Sequence, residues 1–235
     1  AEIAVEDELY GATDDELLER LRRVAEGSET IALIGHNPGI QDLARRGAKV
    51  TLFEASVVGA QASGRNGGQC NGGLAHDYPS LIASVGLERT RAYHRAYCAS
   101  VGTVEQLVRE ESIDCDFARV GRLKLAAKPK HYDGLARTCE LLNEQIDPDY
   151  HMIPRAAVGA EIGSSAFFGA MLHAPSAQLH PGKLAVGLAT AATKHGARVF
   201  ESTPVTDLAR VPASGAAPGG YRVTTSRGSV EAKQV

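Results

Sequence analysis

The order of short apolar segments in the first quarter of the chain constrains its fold most. Residues 30–34 and residues 49–54 are apolar runs of strand length, and a short helical segment at residues 40–46 lies between them. The loop at residues 35–39, with the sequence GHNPG, joins the first strand to this helix. A strand, a crossover helix and a second strand pack as a parallel pair. The sequence therefore predicts an α/β fold built on a parallel sheet.

Further helices and strands follow along the chain. Thr13 and Glu16 form a capping box for a helix at residues 14–26. Pro181 and Gly196 bracket another helix at residues 183–195, because proline favours a helix start and glycine a helix end. The remaining predicted elements are helices at residues 87–110 and 132–146, strands at 117–126, 167–172 and 197–201, a surface loop at 211–220, and a hairpin of residues 221–225 and 229–235.

Composition and charge exclude several classes of protein. Hydrophobic residues make up 43% of the chain, which is enough for a sizeable core. The net charge of -3 and the absence of long charge runs argue against binding to nucleic acid or to an anionic membrane. No apolar stretch approaches the roughly 18 residues of a membrane-spanning helix, and the acidic N-terminus has no signal-peptide core. We expect a cytoplasmic protein, whose oligomeric state the sequence leaves open.

The cysteines and histidines give no local sign of a metal or redox site. The four cysteines lie far apart without a CxxC pair, so we expect reduced, mostly packed thiols; they are Cys70, Cys98, Cys115 and Cys139. His76, His173 and the other histidines lack metal-ligand spacing, and we interpret them as structural or solvent-exposed. The sequence therefore predicts no metal site.

Glu54 and a glycine-rich loop after it favour a dinucleotide site. Glu54 ends the strand at residues 49–54 and follows Gly35 by about 20 residues, the spacing at which an acidic side chain binds ribose hydroxyls. Closely spaced glycines let backbone N–H groups approach a phosphate or a flat ring. The loop consists of Ser63, Gly64, Arg65, Asn66, Gly67, Gly68 and Gln69. A solvent-facing strand end and a flexible surface loop are the alternative interpretations.

Four segments resemble the FAD-dependent oxidoreductases of the D-amino-acid oxidase type. They are LARRGAKVTLFEA at residues 43–55, VGAQASGRNGGQ at 58–69, FFGAMLHAPSAQLHPGKLAVGLATAA at 167–192 and GARVFESTPVTDL at 196–208. The resemblance implies a Rossmann-like, three-layer fold with inserted helical and β elements of a substrate domain. It also implies FAD as cofactor, a small amine or amino acid as substrate, and hydride transfer from the amine carbon to the flavin.

The same resemblance assigns cofactor contacts to individual residues. Glu54 and Ala55 would lie at the adenosine ribose, and the backbone of Val205 at the adenine. The loop from Ser63 to Gln69 would run beside the pyrophosphate and the flavin. The flavin carries the chemistry in such enzymes, so the sequence names no catalytic side chain. His180 is either a substrate-side residue or, as we favour, a capping or packing residue.

The chain departs from the family at its first turn. The family begins with a strand, a GxGxxG turn and a helix, whereas this chain has Asn37 and Ile40 in place of the second and third glycines. Pro38 has no N–H to donate. The helix at residues 40–46 is also shorter than a usual crossover helix. We therefore expect weak or absent FAD binding by the isolated chain.

A second resemblance explains this departure. LYGA at residues 9–12, the helix at 14–26 and IALIGHNPGIQDLA at 31–44 resemble the C-terminal part of phosphohistidine phosphatases of the SixA type. His36 matches the second histidine of that family, but the Arg-His-Gly motif of the nucleophile is absent from the sequence. We predict a join near residue 44, between a phosphatase-like fragment at 1–44 and a partial FAD-binding domain at 45–235, incomplete at both ends. The alternatives to an oxidoreductase are a phosphatase fragment, in which His36 is the catalytic residue, and a chimeric chain without activity.

Overall fold

The computed structural model of the chain describes residues 47, 49–213, 219–233 and 235. The predicted elements before residue 47, including the loop that carries His36, lie outside these residues. The chain forms two compact units. Unit 1 combines the described residues up to Arg65 with Pro181–Val235, and unit 2 is Asn66–His180. The described residues of both units lie in the region predicted as one partial domain, and unit 2 is inserted into unit 1.

A parallel pair of strands organises unit 1. β1 (Thr51–Phe53) pairs in parallel with β7 (Arg198–Phe200), and the rings of Phe53 and Phe200 stack with centroids 5.7 Å apart. The helix α5 (Pro181–Lys194) precedes β7, as its proline predicts. The strands predicted at 49–54 and 197–201 are therefore present with narrower bounds. The pairing confirms a parallel element of an α/β fold.

Unit 1 also contains a three-stranded antiparallel sheet of order β10-β9-β8. Its strands are β8 (Val205–Val211), β9 (Gly220–Thr225) and β10 (Gly228–Ala232). The hairpin of β9 and β10 is the predicted one, and its turn is closed by bonds from Arg227 N to Thr225 Oγ1 and from Thr225 Oγ1 to the carbonyl of Gly228. β8 was not predicted as a strand.

Four helices and two small sheets build unit 2. The helices are α1 (Tyr78–Val85), α2 (Leu87–Glu110), α3 (Pro129–Gln145) and α4 (Arg155–Ile162). β3 (Arg122–Leu125), β5 (Gly169–His173) and β4 (Tyr150–Pro154) form an antiparallel sheet with β5 in the centre. Two shorter strands, β2 (Gln69–Cys70) and β6 (Ala177–Gln178), pair beside it.

The core of unit 2 forms where α3 packs on the central sheet. Leu135, Cys139 and Leu142 project from α3 and cluster with Tyr150 of β4 and Met171 of β5. The helix predicted at 132–146 begins earlier, because Pro129 suits the first turn of a helix. The strand predicted at 117–126 is shortened to β3. No helix in the described part of the chain has the length and apolarity to cross a membrane.

Two glycines of unit 2 permit a matched test of backbone conformation. Gly102 lies inside α2, and no described heavy atom lies within 4 Å of a Cβ added there. Gly102→Ala should raise the free energy of unfolding by about 0.5–1 kcal/mol, because alanine has the better helix propensity. Gly86 joins α1 to α2 with φ +85°, so Gly86→Ala should lower the free energy of unfolding. Urea unfolding of the parent and the two variants measures both changes in the free energy of unfolding. Equal changes in the two variants would contradict the different backbone conformations of the two glycines.

Candidate functional site

Glu54 stands at the carboxyl end of β1. Its backbone N–H donates to the carbonyl of Phe200 at 2.9 Å, and its own carbonyl accepts from the N–H of Thr203 at 2.9 Å. The side chain is half-buried, and its Oε1 accepts a hydrogen bond from Ser56 N at 2.8 Å. Ligands of α/β proteins bind outside the carboxyl ends of parallel strands. The position therefore fits the ribose contact that the sequence predicts, and Ala55 follows it as an exposed residue.

Glu201 follows β7 at the corresponding end, and no local sequence pattern singles it out. Its Oε1 accepts a hydrogen bond from Val58 N at 2.7 Å. The backbone N–H of Ser202 also donates to the carbonyl of Ser56 at 2.6 Å. The end of β7 thereby fixes the segment that follows Glu54.

Val205 lies near this same end of the parallel pair. It is the first residue of β8, 45% exposed, and stands two positions after Thr203, whose N–H binds the Glu54 carbonyl. The structure thus brings the two predicted adenosine residues, Glu54 and Val205, to one end of β1 and β7. A carboxylate at the end of a parallel strand pair is an acceptor that suits the hydroxyl groups of an adenosine ribose.

The first part of the glycine loop belongs to unit 1. Ala62–Gly64 forms a short 3₁₀ helix that packs on α5. A Cβ added at Gly64 would lie 2.0 Å from the carbonyl oxygen of Gly59. Gly59, at φ +77°, is itself packed against Ala185 of α5. Gly64 is therefore required by the packing of two backbone segments, and Ser63 and Arg65 lie exposed on either side of it.

The second part of the loop belongs to unit 2. The side-chain Oδ1 of Asn66 accepts a hydrogen bond from Gly68 N at 2.9 Å, and the buried Gly68 has φ +66°. The carbonyl of Gly68 accepts from Leu179 N, and Gln69 pairs with Gln178 of β6. At Gly67, in contrast, no described heavy atom lies within 4 Å of an added Cβ. Within this loop, the backbone at Gly67 is therefore open to the approach of a flat ligand.

His180 ends unit 2. Its backbone N–H donates to the carbonyl of Cys115 at 2.7 Å, which fits the packing role favoured from the sequence. A substrate-side role for its exposed imidazole stays a prediction.

A buried polar cluster of unit 2 was missed in the sequence. His94 Nε2 lies 2.7 Å from Asp147 Oδ2, and His173 Nε2 lies 3.2 Å from the same oxygen. Cys98 Sγ lies 3.3 Å from His94 Nε2. Only the helical spacing of His94 and Cys98 on α2 is visible locally, because Asp147 is 53 residues from His94 and 26 from His173.

Two hydroxyl groups connect this cluster to the segment after the glycine loop. Tyr78 Oη lies 2.7 Å from His94 Nδ1 and accepts from Leu74 N at 2.9 Å. Ser176 Oγ lies 3.1 Å from His173 Nδ1 and accepts from Gly72 N at 3.2 Å. The cluster therefore fixes residues 72–74.

Burial and hydrogen bonding shift the pKa values of three side chains in the cluster. Burial alone would raise the pKa of Asp147, but hydrogen bonds from His94, Asp149 N and His173 outweigh it and hold the pKa below its ordinary value. Burial lowers the pKa of His173, against the opposing influence of Asp147. Burial also raises the pKa of the Cys98 thiol, so the thiol carries its proton at neutral pH.

Comparison with known proteins identifies the family of the chain. Residues 41–235 match the DAO family, described as FAD dependent oxidoreductase. The chain is 30% identical over 194 residues to gamma-glutamylputrescine oxidoreductase from Escherichia coli (strain K12), covering 82% of this chain and 43% of that protein. It is 27% identical over 168 residues to a probable oxidoreductase OrdL from Haemophilus influenzae, covering 71% and 39%. The chain thus spans less than half the length of these curated relatives.

Solved structures show the same fold. Glycine oxidase from Geobacillus kaustophilus superimposes with a TM-score of 0.66 at 24% identity, over 88% of this chain and 53% of that structure. L-proline dehydrogenase from P. horikoshii gives a TM-score of 0.64 at 19% identity, over 88% and 51%. The mixed α/β fold is therefore that of DAO-type oxidases over most of the chain. The family match covers all described residues of both units, and the chain belongs to the DAO family of FAD-dependent oxidoreductases.

Proposed function

We propose that this chain is the adenosine-binding and flavin-loop part of an oxidoreductase that uses FAD to oxidise a small amine or amino acid. The observation that carries the proposal is the Glu54 carboxylate at the carboxyl end of a parallel strand pair, with Val205 near the same end. The names of the relatives support the substrate class, since they refer to glutamylputrescine, glycine and proline. The gamma-glutamylputrescine oxidoreductase is the relative that favours an amine.

Each part of the site has a defined task in this proposal. Glu54 would accept hydrogen bonds from the ribose hydroxyls, and the backbone of Val205 would contact the adenine. Ser63, Arg65 and Asn66 supply hydroxyl, charge and amide groups for the pyrophosphate. Gly67 admits the flat cofactor to the backbone. Bound FAD supplies the hydride acceptor, while the protein orients the substrate.

Binding of FAD by the isolated chain should be weak and reversible. Asn37 and Ile40 stand in place of two glycines of the pyrophosphate turn, and Pro38 offers no N–H donor. The resemblance of residues 1–44 to a phosphatase gains no support from the family match, which begins at residue 41, and stays a prediction. We retain residue 45 as the start of the oxidoreductase part.

Glu54→Gln tests the ribose contact directly. Removing the charge should weaken FAD binding by about tenfold, or about 1.4 kcal/mol, because a hydrogen bond to a charged acceptor is stronger than one to an amide. Equilibrium dialysis of FAD against the purified chain measures the dissociation constant.

Glu140→Gln is the matched control, since Glu140 lies exposed on α3 in unit 2. It should bind FAD as the parent chain does. Equal affinities for Glu54→Gln and the parent would contradict the proposed function.

A further inference from the structure

Four potential ligand atoms converge in the interior of unit 2. His94 Nε2, Cys98 Sγ, Asp147 Oδ2 and His173 Nε2 all lie within 4.8 Å of one another. Both imidazoles are only 2% exposed. The four side chains come from α2, from the loop after α3 and from the end of β5, so the tertiary fold assembles them.

The spacing of these atoms is close to that of a tetrahedral metal site. Metal–ligand bonds of about 2.0–2.3 Å at tetrahedral angles place neighbouring ligand atoms about 3.4 Å apart. Three of the six separations are 3.3 Å for Cys98 to His94, 3.2 Å for His173 to Asp147 and 2.7 Å for His94 to Asp147, and the other three are at most 4.8 Å. Shifts of less than an ångström would open the contact of His94 with Asp147 around an ion.

Neighbouring groups orient three of the four ligands. The distal Nδ1 atoms of His94 and His173 contact the hydroxyls of Tyr78 and Ser176. Asp147 Oδ1 accepts a hydrogen bond from Asp149 N at 3.0 Å. Metal-binding histidines nearly always use the second ring nitrogen in this way. A hydroxyl can donate or accept, so either imidazole can carry its proton on Nδ1 and present a bare Nε2 to an ion.

Charge balance selects the class of ion. Two neutral imidazoles, one carboxylate and one thiolate carry a total charge of −2, which neutralises a dication in the interior. Nitrogen and sulfur ligands together favour zinc over magnesium or calcium. When the ion binds, the S–H bond of Cys98 breaks, a sulfur–metal bond forms and the proton leaves to solvent.

We propose that His94, Cys98, Asp147 and His173 form a structural site for one zinc-type divalent ion. Four protein ligands leave no open position, so the site is structural rather than catalytic. The bound ion would connect α2 to β5 next to residues 72–74. A Cβ added at Gly72 would lie 2.8 Å from His173 Cε1 and 3.1 Å from Cys98 Sγ, so two ligand side chains pack directly against this segment. The ion would thereby support the backbone that follows the glycine loop.

Binding of Co²⁺ tests the proposed ligands, because its visible spectrum reports the coordination geometry and the presence of a thiolate ligand. The purified 235-residue chain, stripped with a chelator, should bind one Co²⁺ with the intense visible bands of tetrahedral coordination and a thiolate charge-transfer band. Added Zn²⁺ should displace the Co²⁺, so that both kinds of band disappear. Cys98→Ser should remove the charge-transfer band and weaken Co²⁺ binding at least tenfold. Cys70→Ser, a half-buried cysteine outside the cluster, and His151→Gln, an exposed histidine, should leave the spectrum unchanged.

A second measurement uses only the parent chain, so it does not depend on the folding of a variant. Zn²⁺ should slow alkylation of Cys98 at least tenfold relative to chelator, as followed by peptide mass spectrometry, and should leave Cys70 unaffected. Equal alkylation of Cys98 with and without Zn²⁺, or a charge-transfer band that persists in Cys98→Ser, would overturn the site. Neither experiment uses FAD, so its outcome is independent of the proposed function.

Discussion

Replacing Gly64 with alanine is expected to lower the free energy of unfolding by about 3 kcal/mol and to abolish detectable FAD binding. The added Cβ would lie 2.0 Å from the carbonyl oxygen of Gly59 and 2.9 Å from its Cα. Both contacts are with backbone, which cannot turn aside as a flexible side chain does. Gly59 is also held against Ala185, so relief of the clash would displace the loop from α5. Urea unfolding and equilibrium dialysis of FAD measure the two effects.

Gly67→Ala separates a glycine of the fold from a glycine of the binding site. No described atom lies within 4 Å of the added methyl group, so the urea midpoint should stay that of the parent. If the cofactor approaches this backbone, the methyl group should still weaken FAD binding by about tenfold. Two variants with the same loss of stability would contradict this division of roles, and so would a stable Gly64→Ala.

The elements that could be predicted from sequence are those with local start and stop signals. α2 has its predicted bounds, and a glycine precedes its first residue. α5 has the proline and glycine that bracket it, and the β9–β10 hairpin has its glycine at the turn.

The missed elements depend on tertiary pairing. β4, with the sequence YHMIP, contains a histidine and a proline and has no clear alternation of its own. It is a strand because all five residues pair with β5. β8 is similar, since its polar residues pair with β9 around a bulge near Val205. No window of local sequence carries that information.

The residues of the candidate site also divide into those that local sequence identifies and those that only the tertiary structure reveals. The loop from Ser63 to Gln69 could be identified from composition and resemblance, but its glycines looked alike in the sequence. Their different roles emerge only from the backbone that surrounds them: Gly64 packs on Gly59, Gly68 adopts a left-handed conformation, and Gly67 borders open space. The histidine and cysteine cluster of unit 2 could not be identified from the local sequence, because three separate elements of the fold supply its side chains.

The largest gain in cofactor affinity is expected from the combined change Asn37→Gly and Ile40→Gly. With Gly35 these changes restore the GxGxxG spacing, in which small residues let backbone N–H groups reach the pyrophosphate. Two recovered contacts to a charged group, each of about 1.4 kcal/mol, should tighten FAD binding about a hundredfold. The control Asn37→Ala and Ile40→Ala shortens the same side chains but keeps a Cβ at both positions, so its affinity should stay near that of the parent.

Dialysis of FAD against the parent and the two double variants distinguishes two causes of weak binding. One is the side chains at the turn, and the other is the short helix predicted at residues 40–46. A hundredfold gain restricted to the glycine variant means that close approach of the backbone limits binding. Equal affinity of the glycine and alanine variants would contradict that account, and the short helix predicted at residues 40–46 would then be the limiting feature. The predicted helix of seven residues would span about 10 Å, which is shorter than a usual crossover helix, and changes at the turn would not lengthen it. Tight, stoichiometric FAD in the parent chain would show that neither defect matters.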